Sequence, residues 1–186
     1  MTSVLAATPL PGATELFPRE EGLIGNLQHY RVTENESLIE IARKYDLGFS
    51  EIVAANPGID PFVPNVGAII TIPTAWIIPS APPPPSLVIN LPEFRLYYFS
   101  KSLPGQVLTF PLGIGDEGRD TPIGTYKVIE KIVHPVWYVP KSIRRQQPQL
   151  PKVMQPGPDN PMGSHALRLS LRTILIHGTD RPWGIG

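Results

Sequence analysis

The sequence predicts an α+β chain in two parts, a small βααβ domain followed by a mainly β domain. Three observations carry this. Proline makes up 24 of the 186 residues, about 13% where about 5% is ordinary, and 16 glycines accompany it. Such a chain is cut into short elements, which excludes helical bundles and coiled coils. Pro82 to Pro85 is a run of four prolines that favours extended polyproline geometry and marks a boundary. Before that run apolar residues recur at helical spacing; beyond it they alternate.

Taken in order, residues 1–28 are punctuated by Pro and Gly without periodicity and read as an extended N-terminal arm with little structure of its own. Residues 29–73 form the first domain. His29 to Thr33 reads as a strand. Ser37-Leu-Ile-Glu40 is a capping box opening a helix that places Leu38, Ile41, Ala42 and Tyr45 on one face, and Gly48 closes it. Ser50 is expected to cap a second short helix through Ile52, Val53 and Ala54, stopped by Asn56-Pro57. Gly67 to Pro73 returns as a strand.

Residues 74–86 read as a semi-rigid Pro-rich linker, and residues 87–186 as the second domain. Leu87 to Leu91 is a short strand. Phe94, Leu96 and Tyr98 alternate with Arg95, Tyr97 and Phe99, and Leu108, Phe110, Leu112 and Ile114 alternate in turn, which predicts a hairpin with one buried face. After the turn at Asp120 to Gly124, Tyr126, Val128 and Ile132 alternate with Lys127, Ile129 and Lys131. One helical turn is expected over Ser142 to Gln147. Leu150 to Met162 is a long Pro/Gly-rich excursion of the kind that borders functional sites, and Ala166 to Leu171 and Thr173 to His177 are the last two strands.

The formal net charge is zero, but it is unevenly spread. Residues 29–73 hold three basic and six acidic side chains, and residues 87–186 hold twelve and seven. A basic second domain suits an anionic substrate, and an ordinary solvated surface explains so small an excess equally well. Cysteine is absent, which excludes disulfides, zinc-thiolate sites and any thiol nucleophile within these residues. No apolar run is long enough to span a bilayer. Val4 to Ala7 is too short, and lacks the preceding basic residues, to be recognised as a signal peptide.

Residues 37–56, two short helices around Gly48, imitate a DNA-reading helix-turn-helix. Their segment has the wrong charge for a phosphate surface and no Lys or Arg cluster on the second helix, so nucleic acid is excluded as a partner. The whole stretch from His29 to Pro73 instead resembles a LysM domain, the βααβ module of cell-wall proteins that binds glycans containing N-acetylglucosamine. The resemblance implies a glycan groove between the loop at Thr33 to Ser37, with Thr33 and Asn35, and the loop at Asn56 to Asp60, with Asn56 and Asp60. These residue types hydrogen-bond sugar hydroxyls, and they also serve turns and caps. Asn35-Glu36 and Ile39 stand where the family often has an Asp and an aromatic, which lowers the glycan affinity the resemblance implies.

Of the four histidines, His29, His134 and His165 lie in no metal-ligand spacing, and neither metal nor cofactor is expected. His177 ends the apolar run Thr173-Ile-Leu-Ile176 and is followed by Gly178 and Thr179. Alone, such a histidine reads first as structural, although the end of a strand beside glycine also suits a general base. Its neighbours decide. GRDTPIGTYKV, GPDNPMGSHALRLS and ILIHGT stand in the order, and with roughly the spacing, of the L,D-transpeptidase catalytic domain of the YkuD type, and the resemblance runs from Leu87 to Gly186. It implies a mainly β sandwich domain, incomplete at its C-terminus, in an enzyme of the periplasm or cell envelope.

The resemblance also implies the chemistry. A histidine matching His177 activates a cysteine thiolate, which attacks the carbonyl preceding the terminal D-alanine of a peptidoglycan stem tetrapeptide, the donor. D-alanine leaves and a thioester remains. An acceptor amine, from another stem or from a lipoprotein lysine, then attacks it, with backbone amides stabilising both oxyanions. Gly178 leaves room for substrate, Thr179 lies beside it, and the charges of Arg168 and Arg172 suit stem carboxylates. The family's nucleophile stands in an S-H-G-C segment a little over a dozen residues after this histidine, and the present sequence ends at Gly186, nine residues after it. Neither Ser164 nor Ser170 lies in a G-x-S-x-G elbow. The 186-residue polypeptide is therefore expected to be inactive alone and to expose a sheet edge. The alternatives are a noncatalytic peptidoglycan-binding protein and a β-sandwich with no wall role.

Overall fold

The computed structural model describes residues 17–18, 22–115, 120–172 and 174–186. They fall into two compact units, one running to Asp120 and including Trp183–Gly186, the other spanning Thr121–Pro182.

The first unit is built around the βααβ module. Strands β1 (Phe17–Pro18), β2 (Leu23–Gly25) and β3 (Gln28–Arg31) precede helices α1 (Leu38–Lys44) and α2 (Phe49–Ala55). Then come β4 (Ile69–Ile72), β5 (Ala75–Ile77), β6 (Ser86–Asn90), β7 (Arg95–Phe99) and β8 (Gln106–Pro111). The capping box at α1 forms as its sequence dictates: the Glu40 N–H donates to Ser37 Oγ at 3.3 Å, and Glu40 Oε2 accepts the Ser37 N–H at 2.7 Å. Leu38, Ile41 and Ala42 are buried on its inner face. The second helix starts earlier than expected. Its N-cap is Gly48, and Glu51 Oε2 reaches back to accept the Gly48 N–H at 3.1 Å; Ser50 lies inside the first turn rather than capping it. Strands β3 and β4 pair antiparallel, with Tyr30 opposite Ile70.

Two expectations are corrected here. Part of the N-terminal arm is ordered into strands: β2 pairs with β5, setting Ile24 opposite Trp76, and β1 pairs with β8. Residues 1–16 and 19–21 of that arm lie outside the described residues. The linker segment is likewise not a bare spacer, because Trp76 is buried and Ile78 and Ala81 pack on the apolar core. Proline content alone masked this, since the tripeptide Ala75–Ile77 is too short to show a period.

Strands β1, β8, β7 and β6 form one sheet in that order, with its pairs antiparallel. The hairpin of β7 and β8 does not have a single buried face. Arg95, Tyr97 and Phe99 are buried on one side and Leu96 on the other, so the alternating pattern, read as half-buried, belongs to a strand covered on both faces.

The second unit holds β9 (Val128–Val133), β10 (Trp137–Tyr138), α3 (Lys141–Gln146), β11 (Val153–Met154), β12 (His165–Leu169) and β13 (Leu175–His177). The β13, β12 and β9 strands form an antiparallel sheet, and β10 pairs with β11. The excursion over Leu150 to Met162 thus contains a strand. Its end is pinned by buried Asn160, whose amide donates to the carbonyls of Pro135 (2.9 Å) and Gln155 (3.2 Å) and accepts the Met162 N–H at 2.9 Å. Most of β9 is exposed.

Candidate functional site

His177 ends β13 opposite Ala166 of β12 and is exposed. Its Nδ1 lies 2.6 Å from the Gly178 carbonyl. A carbonyl only accepts, so Nδ1 is the donor, and whenever the ring is neutral the lone pair is on Nε2. That is the tautomer a general base requires. The Gly178 N–H donates to the His165 carbonyl at 2.9 Å, extending the ladder one step past the histidine.

Gly163 fixes this end of the sheet, and the sequence reading did not single it out. It stands at φ +63°, and a Cβ there would meet Thr179 N at 2.6 Å and Gly178 Cα at 2.8 Å. Backbone crosses backbone directly behind His177, which is why two glycines face each other. The signal available in the sequence was the Asn160-Pro-Met-Gly163 turn. Thr179 Oγ1 accepts the Arg181 N–H at 2.9 Å, shaping the turn that follows.

The two arginines differ. Arg168 Nε lies 2.6 Å from Glu130 Oε2, its partner across β12 and β9, so its charge is balanced. Arg172 is exposed. Thr173 lies outside the described residues. Among the described residues no group of three His, Asp or Glu side chains is placed to hold a metal ion, and no helix is long and apolar enough to cross a membrane.

On the first unit an open groove of about 550 Å³ runs between Thr33, Glu34, Asn35, Glu36, Ser37 and Glu40 on one wall and Phe62, Val63, Pro64 and Val66 on the other. Thr33 and Asn35 therefore line it directly. Asp60 supports it from behind, accepting the N–H groups of Phe62 and Val63 at 2.9 and 3.1 Å, bonds that hold its carboxyl below the usual range. Asn56 is buried instead. Its amide donates to the carbonyls of Ile52 and Thr71 and accepts the Thr71 N–H, which ties the loop after α2 to β4 and leaves none of its polar atoms for a ligand. Phe62, Val63 and Val66 are exposed apolar side chains, and the sequence reading missed them because it looked for polar residues only.

Hydrogen bonds favour the charged form of two carboxyls on the acidic wall. Glu36 accepts from Thr33 and from the Tyr30 hydroxyl (2.9 and 2.8 Å), which holds its carboxyl below the usual range. Glu40 is lowered by its bonds to the Ser37 backbone and side chain.

Comparison with known proteins places these features in a family. The L,D-transpeptidase catalytic domain (YkuD) matches residues 84–185, and the LysM domain matches residues 30–73. Over 197 aligned residues the chain is 41% identical to the probable L,D-transpeptidase YcfS of Escherichia coli K12, covering 99% of this chain and 60% of that protein. The probable L,D-transpeptidase YbiS of the same strain is 39% identical, covering 88% and 55%. ErfK/SrfK, also named a probable L,D-transpeptidase, is 36% identical, covering 100% and 59%. The chain thus spans less than two thirds of the length of these relatives. Because the catalytic-domain pattern takes in more than half of the sequence, His177 and Gly163 included, the chain belongs to the L,D-transpeptidase family and carries a LysM domain ahead of its catalytic domain.

Proposed function

We propose that this chain supplies the glycan-holding module and the histidine of a peptidoglycan L,D-transpeptidase. The observation that carries this is the tautomer imposed on His177 by the Gly178 carbonyl, within a segment that matches the catalytic domain. Nε2 accepts the proton of the cysteine thiol. The thiolate attacks the carbonyl preceding the terminal D-alanine, the C–N bond breaks, and the imidazolium returns the proton to the departing amine. The acceptor amine then attacks the thioester, giving its proton back through His177 as the thiol leaves. The cysteine is the one in the family's S-H-G-C segment, which is not among these 186 residues.

Gly178 keeps the approach to His177 narrow in side-chain bulk, and the Thr179 turn carries the chain onward. Of the two arginines, Arg172 is the better partner for a stem carboxylate, because Glu130 already balances Arg168. In the groove the apolar faces of Phe62 and Val63 suit the flat face of a sugar ring, while Thr33 and Asn35 suit its hydroxyl and N-acetyl groups. The setting is the cell envelope, the periplasm in a cell with an outer membrane, with peptidoglycan as partner.

The test uses this chain extended through an S-H-G-C segment of the family. Release of D-alanine from a stem tetrapeptide, lost on His177→Ala and not on Arg168→Ala, supports the reading. Sedimentation of the protein with sacculi without D-alanine release would favour the noncatalytic wall-binding alternative. The 186-residue polypeptide, which has no thiol, is expected to release none.

A further inference from the structure

The apolar core of the LysM module does not stop at its own boundary. Leu38, Ile41, Ile52 and Ile70 share one continuous cluster with Tyr97, Phe99 and Val107 of β7 and β8, which lie in the segment that matches the transpeptidase domain. A buried arginine stands in the same seam. Arg95 on β7 has no exposed side-chain surface. Its Nη1 donates to Thr109 Oγ1 on β8 at 3.1 Å. Its Nη2 donates to the Asp46 carbonyl just after α1 and to Glu51 Oε2 on α2, each at 2.9 Å. The guanidinium carbon lies 4.0 Å from the centre of the Trp76 ring, and the Trp76 indole N–H donates to Glu51 Oε1.

A second segment grips the same helix. The N–H groups of Phe49 and Ser50 donate to the carbonyls of Ile185 and Gly186 at 2.9 and 2.6 Å. Gly48 and Gly186 approach so closely there that a Cβ on Gly48 would stand 2.9 Å from Gly186 Cα. Helix α2 is thus held from two places outside the LysM match. A carbohydrate anchor swinging on a proline linker would keep this face hydrated and polar. Instead it carries an arginine that is sealed from water and whose bonds to the Asp46 carbonyl and to Glu51 exist only while the two parts stay together.

We infer that the LysM module is an internal docking partner of the transpeptidase domain: α2 and the β6–β8 sheet open and close as one cooperative body. Whatever occupies the groove is then fixed to that sheet rather than tethered through Pro82 to Pro85. Amide hydrogen exchange on the intact 186-residue chain tests this with no sugar present, so its outcome is separate from the glycan reading. The amides of Ile52 and Ile70 in the module, and of Tyr97 and Phe99 in the sheet, are expected to share one opening constant. Trp76→Phe keeps a ring under Arg95 and deletes one donor. It should speed both sets by the same factor, about 5- to 10-fold. Thr109→Val loosens Arg95 from the sheet side and should act alike on both. Two distinct opening constants in the unaltered chain, or a Thr109→Val effect confined to Tyr97 and Phe99, would overturn the inference. If neither variant folds, the unaltered chain alone decides.

Discussion

Gly163 is a position where no other residue fits, for two separable reasons. Its φ of +63° is strained for a side chain, and the Cβ of alanine would fall inside the backbone of Gly178 and Thr179. Gly163→Ala is expected to destabilise the second unit by about 2–4 kcal/mol, read by urea unfolding, and to perturb the amide resonances of Gly178 and Thr179. Gly178→Ala is milder, since the nearest atom, Gly163 Cα, would be 3.2 Å from its Cβ. Glu36 carries a second prediction at this scale. Thr33, then Tyr30, hold its folded pKa below the unfolded value. The stabilisation is fully present above the unfolded value and is lost as pH falls through the folded one. A carbon-detected titration should therefore place the Glu36 midpoint below that of an ordinary glutamate, and Tyr30→Phe should move it upward. An unchanged midpoint in Tyr30→Phe would show that Thr33 alone holds the charge. The sequence singled out His177 through its neighbours, but its ring tautomer depends on a carbonyl direction, and no residue pattern encodes that.

Elements with complete local signals were legible. The Ser37 to Glu40 capping box states its own start and its own face, and Ser37→Ala is expected to lower stability by about 1 kcal/mol in the same unfolding assay. The start of α2 was misplaced because glycine carries no side chain to announce a cap, and the partner, Glu51, sits three residues later doing other work as well. The groove shows the same limit. Thr33 and Asn35 could be read from the first loop, but Asn56 turned inward to satisfy β4, and the apolar wall came from Phe62 and Val63, in what looked like irregular loop. Phe62→Ala should accordingly weaken binding of a chitin oligosaccharide about 5- to 20-fold, measured by calorimetry, whereas removing the Asn56 amide should lower stability before it lowers affinity. Equal affinity in Phe62→Ala would move the sugar off this wall.

At the scale of the molecule, burial is divided unequally. The first unit gathers the continuous cluster from Ile24 to Val107, while among the described residues the buried apolar side chains of the second unit are Val139, Met162, Ala166 and Leu169. Apolar burial is the main term opposing chain entropy, so the smaller core should open first. Its sheet shows why. β9 is almost wholly exposed, and Ile129 and Val133 face solvent on it. Residues alternate along Tyr126 to Ile132, but period 2 reports only that a strand has two faces, and burial needs something packed against one of them. Limited trypsin digestion of the native chain separates the two units without unfolding either deliberately. Exposed Lys127, Lys131, Lys141, Arg145 and Lys152 in the second unit compete with exposed Arg43 and Lys44 on α1 of the first. Surface exposure is alike in the two sets, so accessibility alone predicts similar rates; cleavage also requires several residues of backbone to detach, and the large core opposes that around α1. Cuts in the second unit are expected to precede those after Arg43 and Lys44 by at least about tenfold in time, since a difference of about 1.4 kcal/mol in local opening suffices. Simultaneous cutting at both places would mean that the 186 residues share a single opening and that the smaller core is stabilised by more than its own buried side chains.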